Sequence, residues 1–209
     1  ATEIGGAATL TDILDAEDRQ AETVGRLYPQ IEVRIVDEHR QEVPRGTMGE
    51  IAVRGGGVMK GYYKAPVLTA EVLDADGWYY TGDLGTMDER GYVRILGRKK
   101  DMIIRGGQNI FPAEIEQVLL GHPAVDEAAV VGIPGGVGGE SVWGFVRLKE
   151  GSTASERELL DHLRGQLALF KIPDVIRTVS EFPRTPTNKI QKHLLVQQVL
   201  AERGGRRLA

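Results

Sequence analysis

Two short stretches of the sequence combine a charged side chain with turn-forming residues. In YYTGDLG, residues 79 to 85, Asp83 lies between two glycines. A carboxylate on a glycine-flanked turn can accept two hydrogen bonds from neighbouring hydroxyl groups, such as those of a ribose, and charged acceptors form the stronger class of hydrogen bond. Aspartate is also a common turn residue, so this stretch alone leaves both interpretations open.

The second stretch is PRTPTNKIQK, residues 183 to 192, in which two prolines and two threonines precede Lys189. We expect this stiff loop to deliver Lys189 at the start of a helix. A lysine ammonium is a compact charge that suits a phosphate or a developing oxyanion, and helix N-termini also favour anions. The alternative is an ordinary solvated lysine, the usual state of this residue type.

Two glycine-rich stretches are weaker candidates. RGGQN, residues 105 to 109, follows an apolar run, and a glycine pair lets another molecule approach the backbone closely. It lacks both the GxGxxG and the GK[ST] patterns of nucleotide-binding loops. GIPGGVGGE, residues 132 to 140, reads as a flexible loop between strands, with phosphate binding as the lesser alternative.

Composition excludes several classes of function. The chain of 209 residues has a net charge of -4 and no cysteine, so we expect neither a nucleic-acid face nor disulfides or thiolate metal sites. The four histidines show no ligand spacing, which argues against zinc. No run approaches the roughly 18 apolar residues of a membrane span. The lack of cysteine fits a reducing compartment, and we expect a cytoplasmic protein.

The periodicity of the apolar residues changes along the chain. Residues 1 to 97 are β-rich, since Ile31, Val33 and Ile35 alternate with charged residues and glycine turns follow, as in an antiparallel barrel-like or sandwich-like unit. Residues 102 to 209 mix strands with helices, one of which begins at the capping-box pair Ser155 and Glu158. The charged residues 98 to 101 separate the two patterns. The sequence therefore predicts an α+β chain.

Taken in order, these stretches resemble the motifs of the adenylate-forming superfamily, which comprises acyl-CoA synthetases, peptide-synthetase adenylation domains and firefly-type luciferases. The resemblance covers essentially the whole chain. The stretches that carry it are ATE (residues 1 to 3), GEIAVRGGGVMKGYYKAPVLTAE (49 to 71), YTGDLG, GRKKDMIIRGGQNIFPAEIE (97 to 116) and PRTPTNKIQK.

The resemblance implies a domain layout and a reaction. Residues 1–97 would be the C-terminal, β-rich, barrel-like part of a truncated large AMP-binding domain, residues 98–101 a hinge, and residues 102–209 a small mobile α+β C-terminal domain. A carboxylate would attack the α-phosphate of ATP, with magnesium, to give an acyl-adenylate and pyrophosphate. A thiol, usually that of coenzyme A, would then displace AMP, and the small domain would rotate between the two steps.

The same resemblance implies roles for individual residues around the adenylate. Asp83 and Arg98 would bind the ribose. Lys189 would lie between the substrate carboxylate and the α-phosphate and act as the catalytic residue. Thr2 would touch the adenylate phosphate, and Glu3 would help to hold magnesium.

Further implied roles concern rotation and the thiol. Lys100 matches the hinge position, where a charged side chain can stay solvated in both domain orientations. Gly106, Gly107 and Gln108 would leave a channel for the pantetheine arm of coenzyme A. Arg164 would contact the nucleotide phosphates of coenzyme A, although an exposed helix arginine is an equal alternative.

Two departures from the superfamily pattern stand out. Asn188 replaces the glycine that normally precedes the catalytic lysine, and asparagine is among the few residues that tolerate left-handed geometry. The superfamily's Ser/Thr/Gly-rich phosphate loop does not occur in these 209 residues. We therefore expect a fragment that is inactive alone and that has the missing N-terminal portion of the enzyme as its partner.

The preferred interpretation is part of an acid:CoA ligase for fatty or aromatic acids. An adenylation domain that loads a carrier protein is the alternative enzyme, because phosphopantetheine presents the same thiol. A non-catalytic nucleotide-binding or interaction module is the third possibility. The sequence predicts neither the identity of the acid nor the oligomeric state.

Overall fold

The structure, a computed structural model, describes residues 1–136 and 138–205 of the chain. It divides into two compact units, of which the first is Ala1–Lys100 and the second begins at Asp101. Both strands and helices are present, so the predicted α+β class is confirmed. Residues 206–209, the end of the predicted second domain, lie outside the described residues.

The first unit is built on an antiparallel sheet of four strands in the order β3-β4-β5-β6. Val33 and Ile35 face Val53 and Ile51 across the β3/β4 register, and all are buried. In the described residues β3 and β6 are the two edges, so the sheet is open rather than a closed barrel. The elements of this unit are β1 (Thr9–Leu10), α1 (Glu17–Glu22), β2 (Arg26–Leu27), β3 (Ile31–Val36), β4 (Gly49–Gly55), α2 (Pro66–Val72), β5 (Tyr79–Met87) and β6 (Val93–Arg98).

The second unit places helices on both faces of a mixed sheet. Strand β10 forms its centre: the long strand β9 pairs antiparallel along its length, β11 pairs parallel with it, and the β7/β8 hairpin joins it through Arg105 and Gly139. The elements are β7 (Ile103–Arg105), β8 (Gln108–Ile110), α3 (Pro112–Leu120), β9 (Val125–Gly136), β10 (Gly139–Leu148), α4 (Glu156–Arg164), β11 (Val175–Thr178) and α5 (Lys192–Gly205).

Burial on both faces explains why β9 reads as a continuous apolar run rather than an alternating one. Val130 packs with Leu119 of α3 and Leu159 of α4. The neighbouring Val131 packs with Leu195 of α5 on the opposite face. Successive side chains of a strand point to opposite faces, so a buried AAVV segment requires a helix layer on each side.

Of two predicted helix starts, the structure confirms one and contradicts the other. The capping box at α4 is confirmed, because Glu158 N donates to Ser155 Oγ at 3.2 Å and Ser155 N donates to Glu158 Oε2 at 2.8 Å. The prediction that Lys189 starts the last helix is wrong, since α5 begins at Lys192. Just before α5, Ile190 instead forms an isolated antiparallel β-bridge with Arg184.

The glycine-rich stretch 132–140 was predicted as a loop, yet most of it is strand. β9 extends through Gly136 and β10 resumes at Gly139, while Val137 lies outside the described residues. A cross-strand ladder with β10 pairs the backbone groups on one edge of β9, which overrides the weak strand propensity of glycine. None of the described helices has the length and apolar character needed to cross a bilayer.

We predict that Leu119→Ala lowers the free energy of unfolding of the second unit by about 2 to 5 kcal/mol, because Leu119 is fully buried (0% exposed) and its loss leaves a cavity. Its neighbour Leu120 is 49% exposed and provides the matched control. Leu120→Ala should change the free energy by less than about 0.5 kcal/mol. Urea denaturation measures both, and equal shifts for the two variants would contradict the assigned core.

Candidate functional site

Asp83 lies within strand β5, not on a free turn as its glycine neighbours suggested. Gly82 has a left-handed φ of 71°, and the β5/β6 register shifts between Leu84 and Gly85. Thr81 Oγ1 donates to Ile51 O at 2.8 Å. The register shift begins just after Leu84, the residue that follows Asp83, and β-bulges of this kind occur often next to functional sites.

Arg98 is the cross-strand partner of Asp83 in β6. Its Nε lies 2.9 Å from Asp83 Oδ1, and the side chains of Asp83 and Arg98 are 25% and 54% exposed. The structure therefore brings together the two residues that were predicted to bind a ribose. Both side chains remain partly accessible to solvent.

Glu3 lies in a short 3-10 turn, Thr2–Ile4, that is tied to the following chain. Met59 N donates to Glu3 O at 2.7 Å, and the Tyr62 hydroxyl donates to Glu3 Oε1 at 3.1 Å. A hydrogen bond from its own backbone N–H is the main cause that lowers the pKa of Glu3, and the Tyr62 bond adds to it against the opposing effect of burial. Glu3 is therefore ionised at neutral pH.

Tyr62 was missed in the sequence, although it follows a glycine in the GYY segment next to the candidate motifs. Its hydroxyl orients the Glu3 carboxylate. The two side chains line a polar cavity of about 420 Å³ with Tyr79, Arg98 and Lys99. Asp83 lines a separate, mainly apolar cavity of about 210 Å³. The larger volume falls in the ordinary range for small-molecule sites.

Lys99 and Lys100 differ in how they are held. Lys99 Nζ lies 2.9 Å from Glu50 Oε2, and Gly82 N donates to Glu50 Oε1 at 2.9 Å. The Glu50 side chain is only 13% exposed, so Lys99 is anchored to the sheet of the first unit. Lys100 is exposed and is the last residue of that unit. Sequence reasoning missed Glu50, which occurs in the GEI segment.

Gly106 and Gly107 form the two-residue turn of the β7/β8 hairpin, and Gln108 pairs with Arg105 as β8 begins. Their φ values of 57° and 75° are both left-handed, the combination that favours glycine in tight hairpins. A Cβ at either position would meet nothing within 4 Å. The side-chain directions at the tip are therefore unobstructed, while Gly106 N donates to Gly138 O at 2.8 Å.

Lys189 is exposed and follows a hydrogen-bonded turn. Asn188 adopts a φ of 65°, which confirms that asparagine supports the geometry expected for glycine. Arg164 is the last residue of α4, where its guanidinium lies 2.6 Å from Asp161 Oδ1. The predicted residues thus form two sets: Thr2, Glu3, Asp83, Arg98 and Lys100 belong to the first unit, and Gly106, Gly107, Gln108, Arg164 and Lys189 to the second.

Comparison with known proteins identifies both units. Residues 1–63 match the family model described as AMP-binding enzyme. Residues 114–189 match the model described as AMP-binding enzyme C-terminal domain. The second match ends at Lys189.

Individual relatives are similar over most of the chain. A putative acyl-CoA synthetase, YngI, of Bacillus subtilis is 45% identical over 95% of this chain and 36% of its own length. The human mitochondrial medium-chain acyl-CoA ligase ACSF2 is 42% identical over 88% of this chain and 30% of its own length.

A solved structure, o-succinylbenzoate CoA synthetase (MenE) from Bacillus subtilis in complex with its acyl-adenylate intermediate, superposes with a TM-score of 0.83 and 34% identity over 93% of this chain and 39% of that one. This chain spans about a third of the length of the curated relatives that it matches. The matches cover both compact units, and the chain belongs to the adenylate-forming, AMP-binding enzymes.

Proposed function

We propose that the protein containing this chain is an ATP-dependent acid:CoA ligase that forms an acyl-adenylate and then an acyl-CoA thioester. The observation that carries the proposal is the Asp83–Arg98 pair, which is accessible at a strand irregularity in the first unit. Relatives named as acyl-CoA synthetases and ligases support the same reaction class.

Asp83 and Arg98 bind the ribose in this proposal. The Asp83 carboxylate accepts hydrogen bonds from both ribose hydroxyls, while Arg98 donates to the sugar and keeps the carboxylate oriented through the 2.9 Å contact. Charged acceptors and donors give the stronger hydrogen bonds. The left-handed Gly82 directly precedes Asp83, which pairs with Arg98 in the β5/β6 ladder.

Thr2 and Glu3 bind the phosphate end of the nucleotide. Thr2 is exposed beside Glu3 and can donate its hydroxyl to a phosphate oxygen. Magnesium prefers carboxylate and phosphate oxygens, and the ionised Glu3 carboxylate fits this preference. Magnesium bound there would neutralise phosphate charge.

Lys189 is the proposed catalytic residue of adenylation. Attack of a carboxylate on the α-phosphate increases the negative charge on the phosphoryl oxygens and on the departing pyrophosphate. An ammonium aimed at that charge stabilises the transition state more than the ground state. The exposure of Lys189 leaves its ammonium available for this role.

Besides supplying Lys189 to the first step, the second unit serves the second step. We place the pivot of its rotation at Lys100, because Lys99 is anchored through Glu50 whereas Lys100 is exposed. The open glycine turn Gly106–Gly107, followed by Gln108, leaves space for a pantetheine arm. Arg164 contacts the nucleotide phosphates of coenzyme A, for which it would exchange its exposed ion pair with Asp161.

The acid is proposed only by class. The names of the relatives include a medium-chain ligase and an o-succinylbenzoate synthetase, so fatty and aromatic carboxylates are the classes to test first. We propose a cytoplasmic location, although the human relative is named as mitochondrial.

We predict that Asp83→Ala weakens AMP binding to the full-length protein by on the order of 10- to 100-fold, because two charge-assisted hydrogen bonds are lost. Asp76→Ala is the matched control, since Asp76 is also an aspartate of the first unit and is exposed. Isothermal titration calorimetry measures both variants. Unchanged AMP affinity in Asp83→Ala would remove Asp83 from the ribose site.

Lys189→Ala should reduce pyrophosphate exchange by on the order of 100- to 1,000-fold, because the transition-state charge loses its partner. Thioester formation from a supplied acyl-adenylate should change far less, since phosphoryl transfer is already complete. Lys60→Ala, which removes another exposed lysine, controls for net charge. Equal losses in the two half-reactions would contradict the role given to Lys189.

Lys100→Pro should leave adenylation intact and slow thioester formation at least about tenfold, because proline fixes the φ angle that a hinge must change. Lys100→Ala keeps backbone freedom and is expected to retain most of the second step. Single-turnover assays of the two half-reactions separate these effects. Normal thioester formation by Lys100→Pro would place the pivot elsewhere.

A further inference from the structure

The turn that precedes Lys189 fixes the backbone of a residue whose side chain is exposed. Asn188 N donates to Thr185 O at 2.9 Å, and Lys189 N donates to Thr185 Oγ1 at 3.1 Å. Thr185 N in turn donates to Lys189 O at 2.9 Å. Both backbone polar groups of Lys189 are therefore bonded to Thr185.

Arg184 reaches across this turn with its side chain. Its NH1 group donates to Asn188 O at 2.9 Å. Asn188 has a left-handed φ of 65°, so the direction of its carbonyl depends on a backbone state that few residues adopt readily. The guanidinium holds that carbonyl at the peptide unit that leads into Lys189.

The other end of the Arg184 guanidinium is attached to the central sheet. NH2 donates to both carboxylate oxygens of Glu127 in β9. Glu127 Oε2 also accepts a 2.8 Å hydrogen bond from Arg147 Nε, and Arg147 is its cross-strand partner in β10. A continuous set of hydrogen bonds thus connects two paired strands with the residue before Lys189.

Because Arg184 and Glu127 are partly buried, their ion pair constrains the chain more than an ordinary exposed ion pair would. The side chains of Arg184 and Glu127 are 27% and 25% exposed. The hydrogen bond from Arg184 is the main cause that lowers the pKa of Glu127, and Arg147 adds to it. Two arginines on one carboxylate form a network, which constrains geometry better than an isolated exposed pair.

A second attachment holds the chain just beyond Lys189. Lys192 Nζ lies 2.7 Å from Glu116 Oε1, with side chains that are 24% and 18% exposed. The same oxygen accepts a 2.7 Å hydrogen bond from Val130 N in β9. The segment that carries Lys189 is therefore attached on both sides to the same strand.

We propose that Arg184 and Glu127 are positioning residues that set the direction in which the Lys189 side chain leaves the backbone. The inference rests on the proposed catalytic role of Lys189 in adenylation. A lysine stem has several rotatable bonds, so a small change at its base moves the ammonium far. A misplacement of about 1 Å can reduce a rate by about 100-fold.

The test compares half-reactions of the full-length protein carrying Arg184→Ala, Arg184→Lys or Glu127→Gln. The carboxylate is whichever of acetate, octanoate, palmitate and benzoate gives the wild-type protein its fastest pyrophosphate exchange. Glu202→Gln is the matched control, because Glu202 also accepts a 2.7 Å hydrogen bond from an arginine, Arg177, in the same unit. Thermal unfolding is measured for every variant.

Arg184→Ala and Glu127→Gln should reduce kcat of pyrophosphate exchange by on the order of 10- to 100-fold, with KM for ATP and thioester formation from the acyl-adenylate within about twofold of wild type. Arg184→Lys should give an intermediate kcat, because an ammonium lacks the planar fork that reaches both Asn188 and Glu127. Glu202→Gln should resemble the wild-type protein.

Two outcomes would overturn the inference. A proportional loss in both half-reactions together with a lower unfolding temperature would indicate a purely structural pair. Exchange that requires Lys189 but tolerates Arg184→Ala and Glu127→Gln would remove the positioning role and leave the proposed function standing. Exchange that survives Lys189→Ala would instead contradict the proposed function itself.

Discussion

In the proposed mechanism the exposed Lys189 ammonium, on its flexible stem, needs a fixed backbone, and the contacts of the second unit provide one. In this unit, β9 is the strand to which the backbone around Lys189 is attached. Helices α3 and α4 pack on one face of that strand and α5 on the other. Glu127 and Glu116 then connect the strand and α3 with the chain on either side of Lys189.

In the first unit, the proposed ribose-binding carboxylate of Asp83 also depends on a fixed backbone, which is held by different contacts. Here the acidic side chain lies in a strand, just before a register shift, rather than in a separate loop. The left-handed Gly82 is held because its N–H donates to Glu50, and the same carboxylate binds Lys99. One partly buried glutamate therefore connects the environment of Asp83 with the chain just before the boundary between the units.

Much of the fold could be predicted from the sequence, because the information is local. The alternating Ile31, Val33 and Ile35 gave β3, and the Ser155–Glu158 pair gave the start of α4. The strand character of Asp83 was not predictable in this way. Glycine neighbours are a turn signal, whereas the bonds that keep the segment in the sheet come from Ile51 and Glu50, about 30 residues away.

In the candidate site, too, residues within contiguous motifs could be predicted, whereas residues that act through long-range contacts could not. Asp83 and Lys189 could be selected because the contiguous motifs around them resemble those of the superfamily, and the left-handed Asn188 was expected because asparagine stands there in place of the superfamily's glycine. Tyr62 is 59 residues from the Glu3 carboxylate that it contacts, and Glu127 is 57 residues from Arg184. Contacts at such separations depend on strand order and helix packing, so no local sequence pattern predicts them.

The most direct measurement is a crystal structure of the full-length protein with a non-hydrolysable acyl-adenylate analogue, captured in its adenylate-forming state. We expect both ribose hydroxyls within hydrogen-bonding distance of the Asp83 carboxylate and the Lys189 ammonium beside the group that replaces the α-phosphate. A ribose bound away from Asp83, or a Lys189 ammonium directed away from that group, would contradict it.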